Sequence, residues 1–163
     1  MGAGKSTVGA ELARCLGWPF HDLDTLIEAR EGRTIAQIFQ QQGELSFRQI
    51  ESAALAELLS PPPASMVLAL GGGAFGQIAN QTALRRVAAK IVFLSASAGE
   101  LWRRCALPNQ KLRPLLQDEL AFRQLLSERL PEYCQAHLTV NTEGKQVPQI
   151  AAEIESSLAL FSH

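Results

Sequence analysis

Short apolar runs alternate along the chain with longer stretches whose apolar residues recur at helical spacing, the pattern of an α/β protein with a parallel sheet. Four runs read as strands: Trp18 to His21, Met66 to Leu70, Ile91 to Ser95 and Leu138 to Asn141. The middle two are apolar nearly throughout, which suits strands covered on both faces. Ahead of them Val8, Leu12, Cys15 and Leu16 form an i, i+4, i+7, i+8 stripe ended by Gly17, predicting a helix that lies on the sheet. Further helices are predicted over Asp24 to Arg30, Thr34 to Gln41, Glu44 to Leu59, Gln77 to Ala88, Ala98 to Cys105, Asp118 to Gln135 and Val147 to Leu160. Pro61, Pro62 and Pro63 stop the third of these from continuing, and Pro131 is expected to kink or divide the Asp118 to Gln135 helix. Residues Ala106 to Leu116, with Pro108, Asn109, Lys111, Arg113 and Pro114, have the composition of a polar lid. No internal repeat or linker appears, so residues 1–163 are expected to form one domain.

Composition narrows the class. An apolar share of 47% with 19% charged residues argues against disorder, collagen-like repeats and coiled coil. Fifteen Lys and Arg against 16 Asp and Glu give no overall case for nucleic acid or an anionic membrane, so any anion site must be local. No apolar run approaches the roughly 18 to 20 residues needed to cross a bilayer. Cys15, Cys105 and Cys134 contain no C-x-x-C pair; they read as small core or surface residues in a reducing cytosol, not as a disulfide framework, a zinc site or nucleophiles. The first residues lack the basic start and apolar stretch of a signal peptide, and a cytoplasmic location is expected.

The most specific local signal is Gly2-Ala3-Gly4-Lys5-Ser6-Thr7, the second half of a G-x-x-x-x-G-K-[ST] loop running into a helix. Glycines let backbone approach phosphate oxygens, and the N–H groups at the helix start, with the helix dipole behind them, hold negative charge. Lys5 adds a positive charge at the β- and γ-phosphates of ATP, and the Ser6 hydroxyl can enter the shell of Mg²⁺. The motif's first glycine would fall two positions before Met1, with a strand feeding it from further upstream, so a truncated or misassigned start is expected.

Acceptor chemistry has to come from elsewhere. Asp22-Leu23-Asp24 follows the first predicted strand, and alternation would put both carboxylates on one side at its C-terminal end, where ligands of open α/β sheets collect. One suits Mg²⁺ and the other a hydroxyl; the plainer reading has Asp24 capping a helix. Arg48 and Glu51 lie three apart on one helical face, with an ordinary surface ion pair as the plainer reading. Gly71-Gly72-Gly73 ends a strand either as a ligand-facing turn with open N–H groups or as a flexible one. Arg113 suits transferring phosphate and Arg129 a carboxylate fork, with solvated surface arginines as the alternative.

The ordered set Gly-x-Gly-Lys-Ser-Thr, Asp22-x-Asp24, Gly43-Glu44-x-x-Phe47-Arg48-x-x-Glu51, Gly71-Gly72-Gly73, Arg113-Pro114-Leu115-Leu116 and Arg129-x-Pro131-x-Tyr133 resembles shikimate kinase across residues 2 to 133 and on into the final strand and helix. The resemblance implies a P-loop NTPase, nucleoside monophosphate kinase-like three-layer sandwich with parallel sheet order 2-3-1-4-5, its first strand lacking here. An acceptor-binding region at about 24–60 and a lid at about 106–117 would accompany the core. It implies ATP-dependent phosphorylation of the shikimate 3-hydroxyl to shikimate 3-phosphate and ADP, on the path to chorismate and the aromatic amino acids. Gly2, Ala3, Gly4, Lys5, Ser6, Thr7, Arg104 and Arg113 would hold ATP, Arg104 covering adenine. Ser6 and Asp22 would serve Mg²⁺, the latter through water, and Asp24 would orient or deprotonate the hydroxyl. Arg48 and Arg129 would grip the shikimate carboxylate, Gly71, Gly72 and Gly73 would meet the substrate through backbone, and Arg113 would neutralise the transferred group. Leu70 departs from the family's usual threonine, and Asn141-Thr142 from its usual Asp-Thr. The rival readings are another P-loop small-molecule kinase, such as a gluconate kinase, and a non-catalytic shikimate-binding homologue. A monomer without nucleic-acid or membrane partners is expected.

Overall fold

The computed structural model describes residues 2–105 and 118–159; the predicted lid at 106–117, with Arg113, lies outside them. The first helix, α1 (Lys5–Leu16), starts after Gly4 and ends at Gly17, whose left-handed backbone (φ 66) returns its N–H to the carbonyls of Ala13 and Arg14. Val8 and Leu12 are buried as the stripe predicts, but Cys15 is exposed, and Gly9 and Ala13 take the inward places. The reason lies in the first strand. A Cβ at Gly9 would stand 2.7 Å from the Phe20 ring, so the aromatic side chain fills this face and small helix residues admit it.

Four strands form: β1 (Phe20–Asp22), β2 (Val67–Ala69), β3 (Val92–Ser95) and β4 (Leu138–Asn141). The first begins two residues later than the apolar run and takes in Asp22, because Trp18 and Pro19 are exposed and proline offers no N–H to a ladder. The Pro19 carbonyl still accepts from Val67 N–H at 2.9 Å. β1 pairs parallel with β2, Phe20 opposite Val67 and Asp22 opposite Ala69, while β3 pairs parallel with β4, Val92 opposite Leu138. Among the described residues these are two separate pairs. Between β2 and β3 lies a cavity of about 450 Å³ walled by Val67, Ala69, Val92 and Leu94 from the strands, with Leu12 of α1 and Ile154 also lining it.

The helices fall close to their predicted places. α2 (Leu23–Glu31) is capped by Asp22, and α3 (Ile35–Leu58) by a reciprocal Thr34–Gln37 capping box. The two helices predicted over 34–59 run together as α3, interrupted at Gly43, whose φ 76 and ψ 176 leave helical space. A single 3₁₀ turn (Ala74–Gly76) leads into α4 (Ile78–Arg86), and α5 (Ala98–Cys105), α6 (Glu119–Tyr133) and α7 (Val147–Ala159) complete the order. Pro131 does not divide α6. It sits in the last turn, and the Cys134 N–H closes the end on the Leu130 carbonyl at 2.9 Å.

Two cores result. Val8, Leu12, Leu94, Leu101, Phe122 and Ile154 join α1, α5, α6 and α7 to the β3–β4 pair, while Leu23, Ile27, Ile38, Phe47, Leu55 and Leu84 join α2, α3 and α4. The second core seats one face of α3 and so orients the polar residues beside it. No helix among the described residues is long and apolar enough to cross a membrane.

Candidate active site

Gly2 and Gly4 both adopt left-handed backbone, φ 67 and 81. At Gly2 space is also lacking, since a Cβ would come 2.6 Å from the Leu101 carbonyl oxygen and 2.8 Å from Cys105 Sγ. The loop is thereby pressed onto α5, with Ala3 buried behind it. No side chain caps α1, so its opening N–H groups are left to bind an anion, and Lys5 stands in the same first turn.

The Ser6 hydroxyl donates to Asp22 Oδ2, while Asp22 Oδ1 accepts from the N–H groups of Asp24 at 3.1 Å and Thr25 at 3.3 Å. One carboxylate therefore caps α2 and ties it to the phosphate loop. The cap is Asp22 and not Asp24, a correction to the plainer sequence reading. Strand alternation does not relate the two carboxylates either: Asp22 ends β1, whereas Asp24 stands in the first turn of α2. Ser6 and Asp22 offer adjacent hard oxygens suited to a small divalent cation that keeps waters and phosphate oxygens as its remaining ligands. No cluster of three His, Cys, Asp or Glu ligands exists among the described residues.

The triple glycine is crowded by polar groups. A Cβ at Gly71 would stand 2.6 Å from Glu51 Oε1 and 3.0 Å from Asp24 Oδ1, and one at Gly73 would stand 2.5 Å from Arg48 Nη2. The Gly72 carbonyl accepts from the Tyr133 hydroxyl. Side chains are absent here because Asp24, Glu51, Arg48 and Tyr133 occupy the space, which the reading as a merely flexible turn does not explain.

Arg48 is ordered on every nitrogen. Nε and Nη2 donate to Glu44 Oε1 at 3.3 and 3.0 Å, and Nη1 donates to Glu51 Oε2 at 2.8 Å. Glu51 is 0% exposed and Arg48 17%, so the pair is not the ordinary surface ion pair that the spacing alone allowed. Burial pushes the Glu51 carboxyl up, the Arg48 guanidinium opposes that, Asp24 adds to the rise and Arg129 works against it. Among the described residues, Glu51 Oε1 is buried without a hydrogen-bond partner.

Arg129 is partly buried on α6, and its charge acts on both the Glu51 carboxyl and the Tyr133 phenol, as the charge of Arg48 also does on Tyr133. Burial raises the phenol, with both arginines opposing. Arg48 and Asp24 thus meet at the glycine backbone, with the charge of Arg129 felt at the neighbouring Glu51 and Tyr133. Tyr133 and the burial of Glu51 were not assigned roles from sequence; the i, i+3 spacing marks a face but cannot tell a solvated face from one covered by Gly71 and Gln77.

Arg104 is held away from this cluster. Its Nε donates to Glu100 Oε1 at 2.7 Å and its Nη1 to Thr142 Oγ1 at 2.9 Å, fixing it between α5 and the turn after β4. It shares α5 with the Leu101 and Cys105 atoms that press on Gly2. Hydrogen bonds from Arg103 and Arg104 hold the Glu100 carboxyl down at about 2.

Comparison with known proteins matches the shikimate kinase family profile to residues 1–159. The shikimate kinase of Cereibacter sphaeroides is 42% identical over 162 residues, covering 98% of this chain and 79% of the relative. That of Thermus thermophilus is 40% identical over 161 residues, covering 97% and 85%. Among solved structures, shikimate kinase from Acinetobacter baumannii in complex with shikimate superposes with a TM-score of 0.86 at 37% identity, covering 98% of this chain and 88% of that one. Shikimate kinase from Aquifex aeolicus gives 0.82 at 31% identity, covering 98% and 92%.

Proposed function

The chain belongs to the shikimate kinase family, and from that membership we infer that it transfers the γ-phosphoryl group of ATP to the 3-hydroxyl of shikimate, giving shikimate 3-phosphate and ADP. The fold is that of the P-loop NTPases. We place the two parallel pairs on either side of a central position in the sheet order 2-3-1-4-5, a reading supported by the cavity shared by the β2 and β3 edges.

The observation that carries the acceptor assignment is the meeting of Arg48 and Asp24 at Gly71 and Gly73, with Arg129 near enough for its charge to act on Glu51 and Tyr133. Shikimate is a carboxylate bearing three hydroxyls, and this set offers guanidinium forks for the acid, one carboxylate for a hydroxyl and close backbone for the ring. In this reading Arg48 and Arg129 bind the carboxylate, and Asp24 orients the 3-hydroxyl and accepts its proton. Gly2 to Thr7 cradle the phosphates, Lys5 draws charge from the transferred group, and Arg104 lies along adenine. Ser6 and Asp22 would hold Mg²⁺, which when bound with ATP neutralises phosphate charge. Arg113 and the lid at 106–117 would cover the nucleotide, with residues 24–60 forming the acceptor region. Phosphoryl transfer asks mainly for alignment and charge stabilisation, which these fixed groups supply. A site assembled within one chain supports a monomer, and three unpaired cysteines support a cytoplasmic location.

A coupled ADP-release assay tests the reading. Turnover with shikimate and none with gluconate is expected. Turnover with gluconate would favour another small-molecule kinase, and shikimate binding without ADP release would favour a non-catalytic homologue.

A further inference from the structure

The N-cap of α4 is Gln77, yet no side chain caps that helix. Ser, Thr, Asp or Asn at such a position would satisfy a first-turn N–H, and glutamine here gives up that role. Its amide turns inward instead. Nε2 donates to Glu51 Oε2 at 2.7 Å, and Oε1 accepts from Ser52 Oγ at 2.9 Å. The partners fix the amide's orientation, because a carboxylate oxygen can only accept from it. The same Glu51 oxygen accepts from Arg48 Nη1 at 2.8 Å. A continuous chain Ser52–Gln77–Glu51–Arg48 therefore ties the start of α4 to the guanidinium that stands against Gly73.

Glu51 needs such support. Its carboxylate is 0% exposed, and its other oxygen has no hydrogen-bond partner among the described residues. The charged groups that face it are Arg48 and, through Arg48, Glu44 on α3, Asp24 on α2 and Arg129 on α6; the start of α4 presents the neutral Gln77. Donors on Oε2 favour the ionised form, while burial and Asp24 oppose it.

We propose that Gln77 is a positioning residue for the acceptor site: its side-chain amide fixes Glu51 Oε2, so that Glu51 holds Arg48 in line with the acceptor carboxylate. This rests on the reading of Arg48 as a carboxylate ligand. Without the amide, Arg48 is drawn toward the half-exposed Glu44, and Glu51 loses a donor that favours its charge. Its protonation then moves to higher pH, and the acid side of acceptor binding moves with it.

The test compares Gln77→Ser and Gln77→Leu with the parent, measuring thermal midpoint, shikimate binding by calorimetry, and the pH dependence of kcat/KM for shikimate. Serine caps helices well, so Gln77→Ser should unfold at a higher temperature than Gln77→Leu, which neither caps the helix nor supports Glu51. Both variants should bind shikimate about fivefold or more weakly, the effect of about one lost hydrogen bond, with KM for ATP unchanged and the acid limb displaced upward. Unchanged shikimate affinity and an unchanged acid limb would overturn the proposal. Weaker affinity with an unmoved acid limb would also overturn it, as simple loss of packing. A parent that neither binds nor phosphorylates shikimate would overturn the acceptor reading and this proposal together, whereas a parent that binds with variants that bind equally would remove Gln77 alone.

Discussion

Arg48 is a cation with two carboxylate partners, Glu44 and Glu51, and in the proposed function the acceptor's acid group joins them as a third. Arg48→Ala removes that fork and leaves the buried Glu51 without its main counter-charge. Shikimate binding should weaken by roughly 2 to 4 kcal/mol with little change in ATP affinity, and unchanged affinity by calorimetry would count against the assignment. Glu51 also links stability to pH. Burial raises its carboxyl above the unfolded value of about 4.3, so the fold binds that proton more tightly than the unfolded chain. Its contribution is thus greatest below the unfolded value and is lost as pH rises through the raised one. Glu51→Gln, which can still accept from Arg48, should gain on the parent in thermal midpoint as pH rises from about 4 toward 8. A pH-independent difference would show that this carboxyl is not the linked group. The residue types at this site were legible in the order Arg48, Glu51, Gly71 to Gly73 and Arg129. Their contacts were not, because Glu51 is enclosed by Gly71 and Gln77, which lie far away in sequence.

At the scale of elements, Asp22 has one oxygen in the cap of α2 and the other on Ser6 of α1, so a single side chain sets the angle between phosphate loop and acceptor region. The two duties separate by substitution. Asparagine caps about as well as aspartate, whereas alanine loses the cap at a cost of about 1 kcal/mol. Asp22→Asn should match the parent in urea unfolding and Asp22→Ala fall below it, while both need more Mg²⁺ for half-maximal turnover because both lose the negative oxygen. Equal Mg²⁺ requirements in all three proteins would separate Asp22 from the metal. Sequence placed β4 and α5 to the residue, where apolar runs end at clear boundaries. It displaced β1, since Trp18 looks like strand but lies exposed beside Pro19. It also put Cys15 inward, since helical periodicity cannot foresee that the Phe20 ring would claim the face at Gly9. The 3₁₀ turn at Ala74 to Gly76 had no periodic signal and was not read at all.

For the molecule as a whole, the decisive feature is that its two strand pairs flank the cavity between β2 and β3, where both cores draw on residues of the two strands and their flanks. The walls are strand residues together with apolar residues of both cores, Leu12 and Ile154 from one and Leu59 and Leu84 from the other, so an extended apolar backbone would both complete the ladders and fill the space. Each fully buried Val, Leu or Ile contributes about 1.5–3 kcal/mol against an ordering cost of about 1–2 kcal/mol per residue, a modest net gain that depends on apolar side chains at every inward place. A chain extended ahead of Met1 by about five β-branched apolar residues, then Gly and one further residue to complete the G-x-x-x-x-G-K-S spacing, should therefore fold with slower amide exchange at Val67 to Ala69 and Val92 to Ser95. Its thermal midpoint should rise, and its KM for ATP should fall as the added glycine brings backbone N–H groups to the phosphates. The same extension with serines at the apolar positions should do neither. If both extensions leave exchange at the β2 and β3 edges unchanged, the cavity is not shaped for a strand and the central position in the proposed sheet order is wrong.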